Sequence, residues 1–328
     1  MNLTRAMLRY GMAEDSSSES AQPAPISTDE LARLQKRSDG RGLMRLLGHL
    51  IAIGTCGWLY ALSLERPSSM LRLLAGLALG FTLVTMFAAM HEGVHRTAFK
   101  SQGLNDGVAW FAGLLSFYNS TFYRRYHGWH HRYTQLPGKD PELEDRRPTS
   151  FVDYFVQMSG LPWWFGKLRT HCTLALGRTE LYPFLTERTA PLVVRSVRAQ
   201  LAVYGVAIAV SAALEYPYFA LYWLLPVALG QPLLRVILLA EHGGCSEDDN
   251  PLSNTRTTHT LLPVRYLMWE MPYHAEHHRY PALPFFALRR AHTKLGPQLV
   301  HVARHGYLGM HLKFLKSMAK EPSSERAA

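Results

Sequence analysis

The residues of this chain best suited to chemistry are histidines in three short clusters. His91 and His95 stand in HEGVH, and the spacing H-x2-H-H occurs in HGWHH and again in HAEHH. These two repeats contain His127, His130, His131, His274, His277 and His278. Spacings of three and four residues bring side chains onto one face of a helix, so each cluster can direct imidazoles at a common point. The pattern predicts a metal site.

HEGVH alone matches H-E-x-x-H, the helix motif of zinc metalloproteases. In that interpretation His91 and His95 bind one zinc ion, and Glu92 is the general base. A third zinc ligand would be needed, usually a carboxylate on another membrane helix. Glu215 and Glu241 stand only at the ends of apolar segments. The interpretation also leaves the other two clusters unexplained, so a membrane zinc protease is a remote alternative.

Four long apolar segments are the elements that must position these clusters. They cover residues 47–64, 71–90, 199–214 and 218–240. A helix needs roughly 20 residues to cross about 30 Å of hydrocarbon, and each segment comes near that length. Short links join the segments in two pairs. The sequence therefore predicts an all-α integral membrane protein, with four transmembrane helices in two hairpins and a cytoplasmic helical cap that carries the histidine clusters.

The distribution of lysine and arginine predicts the orientation of these helices. Five such residues lie between residues 33 and 45, before the first span, and the stretch between the second and third spans is rich in them. The link between the third and fourth spans has none. By the positive-inside tendency, both termini and the metal site face the cytoplasm. His242, at the end of the fourth span, then joins the eight clustered histidines on one face.

Composition limits the remaining classes. The chain of 328 residues has a formal net charge of +10, but no nucleic-acid motif accompanies that charge. Its position beside apolar segments favours contact with a membrane surface and no nucleic-acid partner. The three cysteines form no CxxC, which excludes a disulfide framework, a thiolate zinc site and an internal iron–sulfur cluster.

Nine imidazoles are too many for a single zinc ion. A catalytic zinc takes three protein ligands and keeps one position open. Nine ligands suit two metal ions with positions left for oxygen and water. Imidazole binds iron as well as zinc, so the ligand type alone leaves the metal open.

HEGVH, HGWHH and HAEHH resemble the three histidine boxes of the membrane fatty-acid desaturase and hydroxylase superfamily. MPYHAEHH with the following RYPALP is similar to the third box of bacterial members, and the resemblance covers roughly residues 45–310. It implies a centre of two iron ions that uses O2 and external electrons to remove hydrogen from an unactivated C–H bond. It further implies that the eight box histidines bind iron and that His242 is an additional ligand. Some members carry an asparagine one turn earlier, where this chain has Leu238.

Several side chains beside these ligands are expected to support them. Carboxylates that orient imidazole N–H groups are expected among Glu92, Asp140, Glu241 and Glu276. A structural or solvated carboxylate is the alternative for each. Asp106 has the same predicted role for the first box. Most other histidines are expected at the surface or the interface, with His259 kept open, and the tyrosines near the second box are assigned no chemistry.

The resemblance makes a fatty acyl desaturase the favoured function. A hydroxylase or ketolase acting on a carotenoid or a smaller substrate would use the same boxes, and a non-catalytic metal-binding membrane protein is a third class. Electrons are expected from a separate ferredoxin, rubredoxin or cytochrome b5 type of donor with its reductase. We expect a disordered arm over residues 1–26, one desaturase-like domain over 27–316 and a flexible tail over 317–328.

Overall fold

The computed structural model describes residues 26–143 and 148–320, and nearly all regular structure in this part of the chain is helical. The helices are α1 (Thr28–Leu34), α2 (Asp39–Leu64), α3 (Ser69–Val84), α4 (Met86–Val94), α5 (Gln102–Ser116), α6 (Ser120–Tyr133), α7 (Phe151–Met158), α8 (Leu161–Ala175), α9 (Ala190–Ala213), α10 (Leu225–His242), α11 (Leu262–Leu267), α12 (His274–Arg279), α13 (Phe285–Leu295) and α14 (Gly306–Lys320). A π-helical turn, Ala220–Leu224, leads into α10. Two short parallel strands, β1 (Thr257–Thr258) and β2 (Val302–Ala303), pair with each other.

Four helices of the described chain are long and apolar enough to cross a membrane, which confirms the predicted helical fold class with four spans. They are Asp39–Leu64, Ser69–Val94, Ala190–Ala213 and Ala220–His242. The first three begin earlier than the predicted segments, because polar residues extend the helix beyond its apolar part. α2, for example, begins after Ser38, whose hydroxyl accepts a hydrogen bond from the Arg41 N–H. Large apolar side chains on α2, such as Leu47 and Trp58, are exposed and suit contact with lipid.

The regular helix of the second span is interrupted at Thr85, where α3 ends and α4 begins. The Thr85 hydroxyl donates to the carbonyl of Phe81 at 2.7 Å, a back-bonding pattern that disturbs the helical ladder. Nε2 of His49, from the first span, lies 2.9 Å from the Thr82 carbonyl at the same level. Nδ1 of His49 accepts a hydrogen bond from the indole N–H of Trp269 at 3.2 Å. The buried His49 thus links the first span, the interruption in the second span and the turn before the third histidine box.

The expectation that most histidines outside the boxes lie at the surface is wrong for three of them. His49, His171 and His311 are buried. His171 stacks on Phe117, with ring centroids 4.7 Å apart. His311 accepts or donates at both ring nitrogens, to the Tyr154 hydroxyl and the Val236 carbonyl, each at 2.8 Å. Burial is tolerated at these positions because the polar ring atoms find partners or an aromatic neighbour.

Two of the spans, α3 and α10, cross in close backbone contact at Gly80 and Gly230. A Cβ on Gly80 would lie 2.1 Å from the Pro226 carbonyl oxygen, and a Cβ on Gly230 would lie 2.4 Å from the Gly80 carbonyl oxygen. Small residues allow membrane helices to bring their backbones together in this way. The second and fourth spans, which carry His91 and His242 at their ends, are therefore held tightly side by side.

The ends of the predicted domain need modest changes. Residues 1–25 of the predicted disordered arm lie outside the described chain, but Ile26 is buried in an apolar cluster with Leu283 and Leu288. At the other end, α14 continues to Lys320, so the first four residues of the predicted tail are helical. Residues 321–328 lie outside the described part.

Candidate metal centre

Four helical elements bring all nine predicted histidines to one end of the bundle. His91 is on the last turn of α4, and His95 follows as its C-terminal cap. The second box lies on α6, His242 is the last residue of α10, and the third box opens α12. The capping side chain of Asn119, which accepts from the Phe122 N–H at 3.0 Å, begins α6 two turns before its first histidine.

The nine histidines form two neighbouring groups. Ligand atoms of the first group all lie within 4.8 Å of one another and belong to His91, His95, His127, His131 and His277. The second group, under the same limit, contains His130, His242 and His278. His274 adjoins this group, with its Nε2 atom 2.9 Å from Nε2 of His242. The rings of His131 and His278 stack with centroids 4.2 Å apart and join the two groups.

The donor atoms of these groups fit metal ions. Nε2 of His131 lies 3.0 Å from Nε2 of His127 and 3.1 Å from Nε2 of His277. A neutral imidazole has one proton for its two ring nitrogens. Where three imidazole nitrogens converge, lone pairs therefore face each other. Other buried ring nitrogens find no hydrogen-bond partner among the described residues, on His91, His95, His130, His274, His277 and His278. A buried polar atom without a partner is costly, and a bound cation would satisfy those that face the centre, such as Nε2 of His130 and His278, whose Nδ1 atoms have other partners.

The electrostatic environment keeps most of these imidazoles neutral. Burial lowers the pKa of His95 to about 3, and the charge of Arg124 adds to that effect. Burial, with neighbouring histidines adding to it, holds the pKa well below its usual range at His127, His131, His274, His277 and His278. Neutral imidazole is the form that binds a metal, so these residues are ready to bind at neutral pH.

Asp140 contacts a box histidine directly. Its Oδ1 atom accepts from Nδ1 of His130 at 2.8 Å, and its Oδ2 atom accepts from the Gln135 N–H at 2.8 Å. Burial alone would lower the pKa of His130, but Glu142 and Asp140 outweigh it and raise that pKa. The hydrogen bond fixes the proton on Nδ1 and leaves Nε2 of His130 facing the centre.

The carboxylate of Glu92 is directed elsewhere. Its Oε2 atom accepts hydrogen bonds from the Thr97 hydroxyl at 3.0 Å and from the Phe285 N–H at 3.2 Å. Its Oε1 atom lies 3.9 Å from Nδ1 of His91, beyond hydrogen-bonding distance. Glu92 therefore ties the chain after α4 to the start of α13, and the structure does not give it the predicted imidazole contact.

The other predicted carboxylates differ in the same way. Oε2 of Glu241 lies 3.8 Å from Nε2 of His274, which is also too long for a hydrogen bond. Glu276 pairs with Nδ1 of His292, which is outside the boxes, and Nε2 of His292 lies 3.3 Å from Nε2 of His259. His259 is thus joined to the third box through His292 and Glu276.

Asp106 does not contact the first box either. Its carboxylate pairs with the guanidinium groups of Arg96 and Arg124. Arg124 also donates to the carbonyl of Gly93, which lies between the two histidines of that box. Asp106 therefore supports the backbone of HEGVH through arginine rather than through an imidazole.

Three residues that contact the histidines of the centre were not predicted from the sequence. The Tyr123 hydroxyl lies 3.2 Å from Nδ1 of His127, one helical turn away, and that spacing is a signal visible in the sequence. Glu142 approaches Nδ1 of His127 at 3.5 Å and Nε2 of His130 at 3.6 Å. The Thr134 hydroxyl lies 3.3 Å from Nδ1 of His278, a contact across distant parts of the chain that spacing does not indicate.

A cavity of about 450 Å³ opens onto both groups. Histidines on its wall are His91, His127, His130, His242 and His274. Phe87, Tyr118, Tyr123 and Trp163 form an aromatic wall, and Leu238 and Leu239 add aliphatic surface. A pocket of this kind can hold an organic substrate against the centre.

Together, the four apolar helices and the buried histidines define an all-helical integral membrane protein with a candidate metal centre. The family model described as fatty acid desaturase matches residues 67–308. The chain therefore belongs to the fatty acid desaturase family. It is also similar to a sphingolipid delta(4)-desaturase/C4-monooxygenase of Mus musculus, with 26% identity over 226 residues. The aligned part is 66% of this chain and 63% of the mouse enzyme.

Proposed function

We propose that this protein is a membrane-bound di-iron enzyme that uses O2 and external electrons to desaturate a fatty acyl chain of a lipid. The observation that carries the proposal is the pair of adjacent histidine groups at the wall of one cavity. One iron ion is assigned to the first group and one to the second, with the eight box histidines and His242 as ligands. Family membership supports the lipid acyl substrate.

The ligands are oriented by contacts of the chain itself. Asp140 holds the Nδ1 proton of His130, and the Tyr123 hydroxyl lies at Nδ1 of His127, so the Nε2 atom of each ring is left for metal. Iron bound there would supply the activation of O2 with two external electrons, which is sufficient to take hydrogen from an unactivated C–H bond. The aromatic wall of the cavity gives an acyl chain apolar contact beside the histidines.

A hydroxylated product is the second candidate outcome. The mouse relative is named as both a desaturase and a monooxygenase, so the two outcomes occur under one name. Loss of a second hydrogen gives an alkene, whereas transfer of one oxygen atom gives an alcohol. A hydroxylase or ketolase of a carotenoid or a smaller substrate remains the alternative form of the proposal.

The zinc protease alternative is disfavoured by the position of Glu92. A general base in H-E-x-x-H must reach the metal-bound water, but Oε2 of Glu92 is engaged by Thr97 and Phe285. His91 and His95 also have three further histidines within ligand distance, more than a catalytic zinc site uses. A non-catalytic metal-binding protein would consume no O2, which separates that third class.

Orientation and electron supply belong to the same proposal. On the basis of the lysine and arginine distribution, we expect both termini and the metal centre on the cytoplasmic side of the membrane. The likeness of the third box to that of bacterial members supports a bacterial inner membrane. Reporter fusions test this: green fluorescent protein at the C-terminus should fluoresce, and alkaline phosphatase there should be inactive. The three cysteines form no cluster motif, so electrons are expected from a separate ferredoxin, rubredoxin or cytochrome b5 type of donor with its reductase.

Product analysis tests the reaction. Membranes containing the protein are supplied with deuterated acyl lipid, reductant and O2, and the products are examined by mass spectrometry. Loss of two hydrogens (or deuterons) per acyl chain is expected, and it should disappear without O2 and in the His131→Ala variant. A gain of one oxygen atom would assign the chain to hydroxylation, and the absence of any O2-dependent product from acyl lipids would contradict the proposed substrate.

A further inference from the structure

A second concave site lies away from the histidines, at the beginning of the first span. It is a cleft of about 300 Å³ between the segment that joins α1 to α2 and the N-terminal half of α13. Its charged lining residues are Arg33, Lys36, Arg37, Arg41 and Arg290. No carboxylate is among the residues that line it, so positive charge is concentrated there. We call this site the basic cleft.

The charges of the basic cleft are not neutralised within the described chain. No ion pair between the described residues engages any of its five cations, whereas nearby Lys294 approaches Glu30 at 4.0 Å. The guanidinium of Arg41 lies over the ring of Phe286, 4.7 Å from its centroid, which holds one cation at the cleft floor. Five cations around one concavity provide a strong site for an anion with several oxygen acceptors.

The position of the basic cleft beside the first span indicates that the anion belongs to a membrane lipid. α2 begins at Asp39, so the cleft lies where the first span leaves the hydrocarbon. One to two turns further along α2, Leu43, Met44 and Leu47 are 45%, 66% and 59% exposed. Exposed aliphatic side chains on a spanning helix face lipid tails, and the cations just before them are at the level of the headgroups.

We propose that the basic cleft binds the phosphate of an anionic phospholipid from the surrounding leaflet, with the acyl tails lying along Leu43, Met44 and Leu47. A cleft of this volume fits a headgroup better than the broad face of an acidic protein, and the adjoining apolar surface is suited to lipid tails. The site is distinct from the metal centre and does not depend on which reaction the centre performs.

A bound lipid would also support the elements that hold the centre. The cleft uses Phe286 and Arg290 of α13, and the N–H of Phe285 at the start of α13 donates to Glu92, beside His91. A lipid bound between α13 and the first span would therefore help to hold α13 in the position where Phe285 contacts Glu92. Lipid binding should raise the thermal stability of the whole chain by favouring the native state.

The experiment compares lipid binding by the full chain and by two charge-matched variants. In the cleft variant, Arg37, Arg41 and Arg290 are replaced by glutamine. In the control variant, three exposed arginines outside the cleft, Arg169, Arg178 and Arg188, are replaced by glutamine. Each protein, purified in neutral detergent, is titrated with phosphatidylglycerol and separately with phosphatidylcholine, and retained lipid is measured by native mass spectrometry.

We expect the wild type and the control variant to bind phosphatidylglycerol more tightly than phosphatidylcholine. One lysine or arginine ordinarily strengthens binding to an anionic lipid surface about fivefold, so each removed cation should weaken binding by that factor. The cleft variant lacks three cations and should bind about 100-fold more weakly. A single Arg290→Gln variant, altered only on the exposed side of α13, should bind phosphatidylglycerol about fivefold more weakly. This variant tests the proposal even if the triple variant does not fold. Equal retention of phosphatidylglycerol by all proteins would overturn the proposal.

Two further additions distinguish the occupant. Inorganic phosphate at the same concentration should give no stabilisation; an equal rise in the unfolding temperature would assign the cleft to a soluble phosphate and overturn the lipid. A ferredoxin added to lipid-free protein should bind equally to wild type and cleft variant. Loss of ferredoxin binding in a cleft variant that keeps phosphatidylglycerol would assign the surface to an acidic protein and also overturn the proposal.

Discussion

Asp140 accepts a hydrogen bond from Nδ1 of His130 at 2.8 Å, although the two residues are ten positions apart and α6 ends between them. The carboxylate also accepts N–H groups of Gln135 and Glu142, so its position is fixed by the turn that follows α6. His130 is in this way presented to the second histidine group with one defined nitrogen free. The pair joins a local turn to the proposed metal chemistry.

Replacement of Asp140 by asparagine should weaken the second group. An amide in place of Oδ2 would direct a donor at the Gln135 N–H, and the charge that favours the Nδ1 proton of His130 is lost. Iron affinity or activity should fall by about 10- to 100-fold, the usual effect of removing such a carboxylate. Iron content and turnover are measured together. Asp29→Asn is the control, because Asp29 is an exposed carboxylate on α1, and equal iron loss in both variants would remove the special role of Asp140.

Replacement of Glu92 by glutamine should leave the iron content close to that of the wild type. One amide oxygen can still accept from Thr97 and Phe285, so the connection to α13 is largely kept. We expect a partial loss of activity in proportion to the loss of protein stability. Thr97→Val removes one donor to the same oxygen and should cost about 1 kcal/mol of unfolding free energy. Complete inactivation of Glu92→Gln with unchanged stability and iron would indicate a direct catalytic role instead.

The two helix-crossing glycines should be sensitive to a single methyl group. Gly230→Ala would place a Cβ 2.4 Å from the Gly80 carbonyl oxygen, so the second and fourth spans must move apart. Overpacking of this kind costs about 1–3 kcal/mol, and thermal unfolding in detergent should show it. Gly205→Ala on α9 is the control, because no atom lies within 4 Å of its new Cβ. Equal unfolding temperatures for the two variants would contradict the tight crossing.

The metal-stripped protein should lose stability as the pH falls below about 6.5. Burial lowers the pKa of His95 to about 3 in the folded chain, from an ordinary value of 6.5. Between these values the unfolded chain binds the proton and the folded chain does not, so protonation favours unfolding. Stability should therefore decline from pH 6.5 toward pH 3 and be independent of His95 above pH 6.5. Urea titrations across this range check it, and a flat profile would contradict the neutral, buried state of the site.

Much of the fold and of the ligand set could be predicted from the sequence because the signals are local. Hydrophobic length identifies the four spans, and H-x3-H or H-x2-H-H spacing identifies the boxes within single helices. The Tyr123–His127 contact has the same local spacing and could have been found in that way.

Contacts between distant segments could not be predicted in this way. Nothing in the sequence near Gly80 indicates Gly230 as its partner, and the link from His49 to Trp269 joins residues more than 200 positions apart. The carboxylates show the same limit. Proximity in sequence suggested that Glu92 and Glu276 orient imidazoles of their own boxes, whereas their oxygens turn toward Thr97, Phe285 and His292.

The central proposal is that nine histidines hold two iron ions, and metal content per chain tests it most directly. Protein produced in iron-replete cells is purified in detergent without chelator, and iron and zinc are quantified by mass spectrometry against the protein concentration. We predict two iron ions per chain. The iron content should be reduced in His131→Ala, since His131 contacts both histidine groups. It should be unchanged in His305→Ala, since His305 is an exposed histidine outside the cavity. One zinc ion per chain with no iron would contradict the di-iron centre and the oxygen chemistry proposed with it.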